Sequence, residues 1–177
     1  MNTNLSRSIL LLALACCQQQ SSFANEGNSL CRNDEEVVFS CTIRSGEKTL
    51  SLCRSKLFDR KRGYMQYRFG RSSSVELEFP TDLNRSQERF KYAHYFRHQV
   101  DRHEISFKIG NNAYSVFDYY DGDVIPPSHQ QGVAVLPHGR RKIIIHCNGR
   151  AEGSLGEVKE SISCDKESPL NLDGCER

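Results

Sequence analysis

Several features are missing from this chain of 177 residues, and each absence excludes a class of protein. There is no Cys-x-x-Cys pair, no His-Glu-x-x-His motif and no Gly-x-Ser-x-Gly motif. Zinc ribbons and thioredoxin-type enzymes need a Cys-x-x-Cys pair, zinc proteases need a His-Glu-x-x-His motif, and α/β-hydrolases need a Gly-x-Ser-x-Gly motif. The sequence therefore predicts no catalytic residue, no cofactor and no metal ligand set.

The chain also lacks a strong excess of charge and a long apolar run. Lysine and arginine number 24 against 22 aspartate and glutamate, which gives a net charge of +2. A protein that binds nucleic acid through bulk electrostatics is far more basic than this. The apolar run at residues 9–17 is shorter than the roughly 20 residues that span a bilayer. We expect neither a nucleic-acid partner nor a transmembrane segment.

Residues 1–24 have the pattern of an export signal. Arg7 carries their only charge, the apolar run at 9–17 follows it, and small residues precede the end of the pattern at Ala24. This pattern predicts cleavage after Ala24 and delivery to the periplasm or to the outside of the cell. The alternative is a lipid anchor at Cys16, which small and apolar residues precede.

Cysteine is abundant for a chain of this length. Of eight cysteines, six follow the predicted signal: Cys31, Cys41, Cys53, Cys147, Cys164 and Cys175. An even number in an exported chain predicts disulfides rather than reactive thiols.

Apolar and polar side chains alternate from residue 37 to residue 147, with turn residues at short intervals. This period of two is typical of half-buried β-strands, and the spacing of the turns favours antiparallel hairpins. We predict an all-β fold in which an antiparallel meander of about eight strands forms a sandwich or a small barrel. The predicted β domain covers residues 25–148, and a polar tail with Cys164 and Cys175 covers residues 149–177.

Residues 84–100 have two interpretations. Asn84 and Gln87 have the spacing of a capping box, which would begin a short helix. The aromatic alternation from Tyr92 to Val100 instead predicts a strand or an irregular sheet edge, and we favour this interpretation.

The alternation also constrains the disulfide pairing. If Cys41 faces the core opposite Leu50, then Cys53 faces the other side of the sheet, because residues opposite each other share a face and neighbours alternate. A β-bulge between Cys41 and Cys53 would reverse the face of the sheet on which one of them lies. The predicted pairs are Cys41–Cys147 inside, Cys31–Cys53 on the other face and Cys164–Cys175 within the tail.

Three histidines lie within ten residues of one another, at His94, His98 and His103. On a helix, His94 and His98 would be one turn apart and could share a metal ion. On a strand the same step is roughly 13 Å, which one ion cannot bridge. Because we favour a strand, we expect these histidines on a solvated edge. A metal-dependent enzyme that uses all three is the alternative.

Charge is unevenly distributed along the chain. Residues 54–71 carry seven basic side chains against one acidic side chain, whereas residues 152–177 carry seven acidic against three basic. One interpretation is a solvated loop, and the other is a loop that binds an anionic glycan, a phosphate group or an acidic envelope protein. The acidic segment could also fold back over the basic one. The candidate binding residues of this basic loop are Arg54, Lys56, Arg60, Lys61 and Arg62.

Three parts of the chain together resemble a family of small exported bacterial proteins with disulfides, for which no activity is assigned. They are residues 37–41 with Cys53, residues 63–70, and residues 94–97 with residues 117–120. The resemblance implies export and transfers no catalytic residue. The architecture is also similar in kind to the periplasmic lysozyme inhibitors, which are small disulfide-linked β-proteins. Their inhibitory loop has serine, glycine and tyrosine in close order, and residues 112–115 depart from it.

These features favour an exported, non-catalytic binding protein of the cell envelope over an enzyme. Tyr114 and His94 are further candidate binding residues, and the sequence does not identify the ligand, the partner or the oligomeric state. A proteinaceous inhibitor of a secreted hydrolase such as lysozyme is one alternative. The metal-dependent enzyme described above is another.

Overall fold

The computed structural model of this protein describes residues 29–43, 46–171 and 175. Over these ranges the chain forms two β-sheets that share one hydrophobic core, so the predicted all-β fold is confirmed. The predicted signal peptide and Cys16 lie outside the described residues.

The described ranges contain eleven strands and two short 3₁₀ helices. The strands are β1 (Glu35–Thr42), β2 (Thr49–Ser55), β3 (Met65–Arg71), β4 (Ser74–Phe79), β5 (Lys91–Arg97), β6 (Val100–Ile109), β7 (Asn112–Asp121), β8 (Ser128–Leu136), β9 (Ile143–His146), β10 (Glu152–Gly153) and β11 (Ser163–Cys164). The 3₁₀ helices are Ser86–Arg89 and Leu155–Val158. Spanning a bilayer would take a much longer apolar helix than either of these, and the described ranges hold no other.

The strands are arranged in a five-stranded and a six-stranded sheet. The first sheet has the order β10-β1-β2-β3-β4, and the second has the order β11-β5-β6-β7-β8-β9. Neighbouring strands are antiparallel except for β11, which runs parallel to β5. The sequence predicts about eight strands; β5 lies in the region at residues 84–100, for which a strand or an irregular edge is favoured, and β10 and β11 are not predicted. The last two have only two residues each, which is too short to leave a period-two pattern.

The core consists of alternate residues from both sheets, as the period of two predicts. Phe39 and Leu52 are paired across β1 and β2 and are fully buried. Ile105 and Val116 are paired across β6 and β7 of the second sheet and are also fully buried. The predicted pairing of residue 41 with residue 50 is confirmed.

Three disulfides join described residues, and their pairs are the ones that the register predicts. They are Cys31–Cys53, Cys41–Cys147 and Cys164–Cys175. Cys53 is nevertheless fully buried although it points away from the central core. The reason is that the segment before β1 covers this face, with the Leu30 N–H donating to Ser51 Oγ at 2.9 Å.

The predicted polar tail is wrong for much of residues 149–177. Leu155, Val158 and Ile162 are at most 2% exposed and belong to the core. Strand β10 pairs with β1, and β11 pairs with β5, so this segment adds an edge to each sheet. Its apolar residues are three and four positions apart around a 3₁₀ helix, so they do not alternate and escape a search for strands.

The region at residues 84–100 contains one strand, preceded by a turn and a short 3₁₀ helix. Strand β5 occupies Lys91–Arg97, and His98 and Gln99 form the two-residue turn that leads into β6. The helical alternative survives only as the single turn Ser86–Arg89, whose cap position is Arg85 rather than Asn84.

Candidate functional site

A cleft of about 700 Å³ lies where the β6–β7 hairpin extends beyond the start of β5. Its walls come from both sheets and from the segment after β11. Phe79 of β4, Phe107 and Tyr114 contribute the floor, and one wall is formed by Asp165, Glu167, Ser168 and Pro169. The volume falls within the range of about 300–1,000 Å³ that is usual for small-ligand sites.

The floor of the cleft is a row of aromatic rings. Phe107 stacks on Tyr114 with ring centroids 5.2 Å apart and an interplanar angle of 8°. Phe107 also stacks on Phe79 at 5.2 Å and 14°. Tyr114 and Phe79 are only partly buried, so they present ring surface to a ligand. Phe107 is buried beneath them and fixes their positions.

Charged side chains of both signs surround this floor. Arg89, Lys91 and Lys108 line the cleft, and all three are exposed. Glu104 lines it from β6 and accepts a hydrogen bond from the Tyr119 hydroxyl. Burial raises the pKa of the Glu104 carboxyl. The cleft thus combines aromatic faces with hydrogen-bond donors and acceptors on its edge.

A disulfide holds one wall of the cleft in place. Cys164 in β11 is bonded to Cys175, and the residues that follow Cys164 contact β5, where Asn171 Oδ1 accepts from the His94 N–H at 3.1 Å. The Asp165 N–H donates to the Tyr92 carbonyl oxygen at 2.8 Å, and the Ser106 hydroxyl donates to the Asp165 carboxylate. Reduction of this disulfide would therefore release the wall rather than the core.

A second polar cluster lies on the β5–β6 hairpin and faces the same side of the sheet as the core. His94 and His103 are directly opposite each other across β5 and β6, and their rings stack with centroids 4.3 Å apart. Asp101 lies two residues before His103 on the same face. Its Oδ1 atom is 2.8 Å from His94 Nε2 and 3.0 Å from His103 Nε2. We call these three residues the His–Asp cluster.

The groups around the His–Asp cluster hold the imidazole ring of His103 in place. The Tyr92 hydroxyl lies 2.6 Å from His103 Nδ1, and burial raises the pKa of Tyr92 above its usual range. Burial lowers the pKa of His103, although the neighbouring Asp101 carboxylate opposes this. The pKa of Asp101 is lowered, since hydrogen bonds from the two imidazoles outweigh the effect of its partial burial. The cluster therefore combines two imidazoles and one ionised carboxylate.

His98 does not belong to this cluster. It lies in the turn between β5 and β6, where its ring contacts Gln99. The roughly 13 Å step along a strand separates it from His94. The partner of His94 is not another histidine on its own strand but His103 on the neighbouring strand of the hairpin. A two-residue turn at 98 and 99 pairs residue 94 with residue 103, and this signal was present in the sequence.

Much of the basic loop is occupied by contacts within the chain. Arg54 forms ion pairs with Glu36 at 2.9 Å and with Glu157 at 3.5 Å. Arg60 Nε donates to the Glu160 carbonyl oxygen at 2.7 Å. The acidic segment thus folds back over this loop. The remaining candidates are Lys56, Lys61 and Arg62, all exposed, with Arg62 paired to Asp59 at 2.7 Å.

The sequence-predicted site residues thus fall in three separate places. Tyr114 is part of the cleft, His94 is part of the His–Asp cluster, and the basic loop lies on the first sheet and its margin. Phe79, Glu104 and Asp165 are cleft residues that the sequence did not single out. No family model, no curated protein and no solved structure matches the chain. The family resemblance seen in the sequence stays a prediction.

Proposed function

We propose that this chain is an exported binding protein of the cell envelope and that its cleft holds an oligosaccharide. The observation that carries the proposal is the combination of the partly exposed Tyr114 and Phe79 rings with charged side chains of both signs on the rim. Sugar rings have apolar faces that pack on aromatic rings, and their hydroxyl groups donate to carboxylates and accept from ammonium groups. Both requirements are met within one cleft.

The disulfides support the exported location. Three of them join described residues, and such bonds persist in oxidising compartments. The export pattern at residues 1–24 supports the same assignment. A stapled scaffold also keeps the cleft walls in fixed positions, which reduces the conformational entropy that is lost when a ligand binds.

Calorimetric titration with two matched six-residue oligosaccharides tests the proposal. Neutral cellohexaose and acidic hexagalacturonate separate recognition of the sugar faces from recognition of carboxylate groups. We expect one molecule to bind per chain, and we expect Tyr114→Ala to weaken binding at least about fivefold, as truncating a central contact residue does. Lys108→Ala should weaken hexagalacturonate more than cellohexaose.

Two control variants make the result specific. Tyr120→Ala removes an exposed tyrosine on the same strand, and Lys61→Ala removes an exposed lysine of the basic loop. Neither should change the affinity. The proposal is wrong if neither oligosaccharide binds, or if the Tyr114→Ala variant folds and binds both as tightly as the wild type.

Glycoside hydrolysis is a second candidate, which one observation favours. Glu104 lies in the cleft, its pKa is raised by burial, and Asp165 lines the same cleft. A carboxyl whose pKa is raised, in a cleft that also holds a second carboxyl, is an arrangement that glycosidic acid catalysts use. Release of reducing ends by the wild type, and its loss in Glu104→Gln, would favour this candidate over simple binding.

A further inference from the structure

We propose that the His–Asp cluster is a binding site for a divalent first-row transition metal ion such as Zn²⁺. This inference does not depend on the proposed function, because the cluster and the aromatic cleft occupy different parts of the β5–β6–β7 surface. The juxtaposition that carries it is the convergence of His94 Nε2 and His103 Nε2 on Asp101 Oδ1.

The donor set matches the chemistry of these ions. Two imidazole nitrogens and one carboxylate oxygen lie within 4.8 Å of one another. Zinc binds such groups at about 2.0–2.2 Å. Among the common divalent ions, imidazole ligands favour zinc, nickel and copper over magnesium and calcium.

The scaffold places the ligands without help from the ion. His94 and His103 are paired in the middle of an antiparallel hairpin, where the register fixes the distance between their Cβ atoms. Strand β7 supports β6 from the other side. The site is therefore assembled on regular strands, which hold side chains more rigidly than loops do.

The hydroxyl of Tyr92 completes the second layer around the site. When Nε2 of His103 binds a metal ion, its Nδ1 carries the proton, and Tyr92 lies at hydrogen-bond distance to accept it. Histidine ligands in metal sites usually have such a partner, which orients the ring. The orientation seen here is the one that a metal ligand requires.

Solvent reaches the site, so the ion can enter and a further ligand can bind to it. The side chains of His94 and Asp101 are 36% and 42% exposed, whereas that of His103 is 18% exposed. Three protein ligands with one open position characterise zinc sites that bind an exogenous molecule. The open coordination position would face the solvent beside His94.

Titration of the metal-stripped mature chain with Zn²⁺ alone tests the site. We expect one ion per chain, loss of this binding in His94→Ala and in His103→Ala, and a reduction of about 10–100-fold in Tyr92→Phe. His98→Ala and His138→Ala remove exposed histidines outside the cluster and should bind as the wild type does. Circular dichroism establishes that each variant is folded. His94 is the safer substitution because it is more exposed than His103.

Imidazole ¹⁵N spectra provide a readout that does not depend on the variants. On addition of one equivalent of Zn²⁺, the Nε2 resonances of His94 and His103 should shift together while those of His98 and His138 stay in place. The site is wrongly assigned if Zn²⁺ does not bind, if a folded His94→Ala variant binds it unchanged, or if His98→Ala abolishes binding.

Discussion

Arg68 and Glu35 form a two-pronged ion pair in which both side chains are almost completely buried. Two guanidinium nitrogens of Arg68 donate to the two carboxylate oxygens of Glu35, at 2.5 and 2.7 Å. The side chains are 1% and 0% exposed. Arg68 also donates to the Leu30 carbonyl oxygen and to Gln66 Oε1. This network attaches the segment before β1 to the outer face of the first sheet.

Removing one partner of this pair should destabilise the fold strongly. Arg68→Met leaves the Glu35 carboxylate buried without its counter-charge, and we expect the free energy of unfolding in urea to fall by about 3–5 kcal/mol. The matched control is Arg71→Met. It breaks an ion pair with Glu47 that lies on the surface, and such pairs contribute about 0–1 kcal/mol. Equal losses in the two variants would contradict the role assigned to Arg68.

The same pair predicts how stability responds to acid. Burial raises the pKa of Glu35, but hydrogen bonds from Arg68, the Arg32 N–H and Tyr64 lower it by more, so it lies below its ordinary value of 4.5. The unfolded chain therefore takes up the proton first, and the free energy of unfolding decreases as the pH falls below about 4.5. In Glu35→Gln this part of the decrease should disappear. Urea unfolding at a series of acidic pH values measures it, and parallel curves for the two proteins would refute the prediction.

The period of two allowed the β fold and the disulfide partners to be predicted, because it states which residues share a face. The period of two does not show whether the face away from the core is covered by other parts of the chain. Arg68 and Cys53 lie on the face away from the central core, and no pattern in the sequence indicates that residues 30–32 cover it. For this reason the sequence predicts only that Cys53 faces away from the core, and it presents Arg68 as one more basic residue of the segment 54–71.

The candidate sites were less predictable than the fold, because each depends on pairing between segments. His94 was selected from the sequence, but its partner His103 requires the register of the β5–β6 hairpin. Glu104 and Asp165 meet in one cleft only because β11 pairs with β5. Such a two-residue parallel strand has no periodicity from which to infer it.

The segment after Cys147 should contribute to global stability although it is mostly polar. Leu155 is fully buried, so Leu155→Ala should reduce the free energy of unfolding by about 2–5 kcal/mol. Glu157→Ala, two residues further and exposed, should change it by no more than about 1 kcal/mol. Urea unfolding measures both variants. If Leu155→Ala leaves the free energy of unfolding unchanged, the prediction of an independent polar tail would be correct instead.

The disulfides should differ in their contribution to stability because they close loops of different length. Cys41 and Cys147 are 106 residues apart, whereas Cys164 and Cys175 are 11 apart. Chain entropy predicts about 4.7 kcal/mol for a loop of about 100 residues and about 3 kcal/mol for one of about 15. Replacing the pair Cys41 and Cys147 by serine should therefore lower the melting temperature more than replacing Cys164 and Cys175. The reverse order would show that this entropic argument fails here.

The third disulfide should also have a local effect that melting does not report. Without the Cys164–Cys175 bond, the cleft wall after β11 is held mainly by hydrogen bonds such as that from the Asp165 N–H to the Tyr92 carbonyl oxygen. We expect amide exchange to accelerate at residues 165–171 in the double serine variant, while the amides of β6 and β7 stay protected. Uniform acceleration across both regions would mean that this disulfide supports the core instead.

Amide chemical-shift mapping of the ¹⁵N-labelled protein during titration with cellohexaose and hexagalacturonate tests the central claim most directly, since it locates the ligand residue by residue. We expect saturable shifts at Phe107 to Tyr114 and at Asp165 to Ser168 for at least one of the two oligosaccharides. Shifts confined to the basic loop at residues 54–62, or no shifts with either oligosaccharide at millimolar concentration, would contradict it.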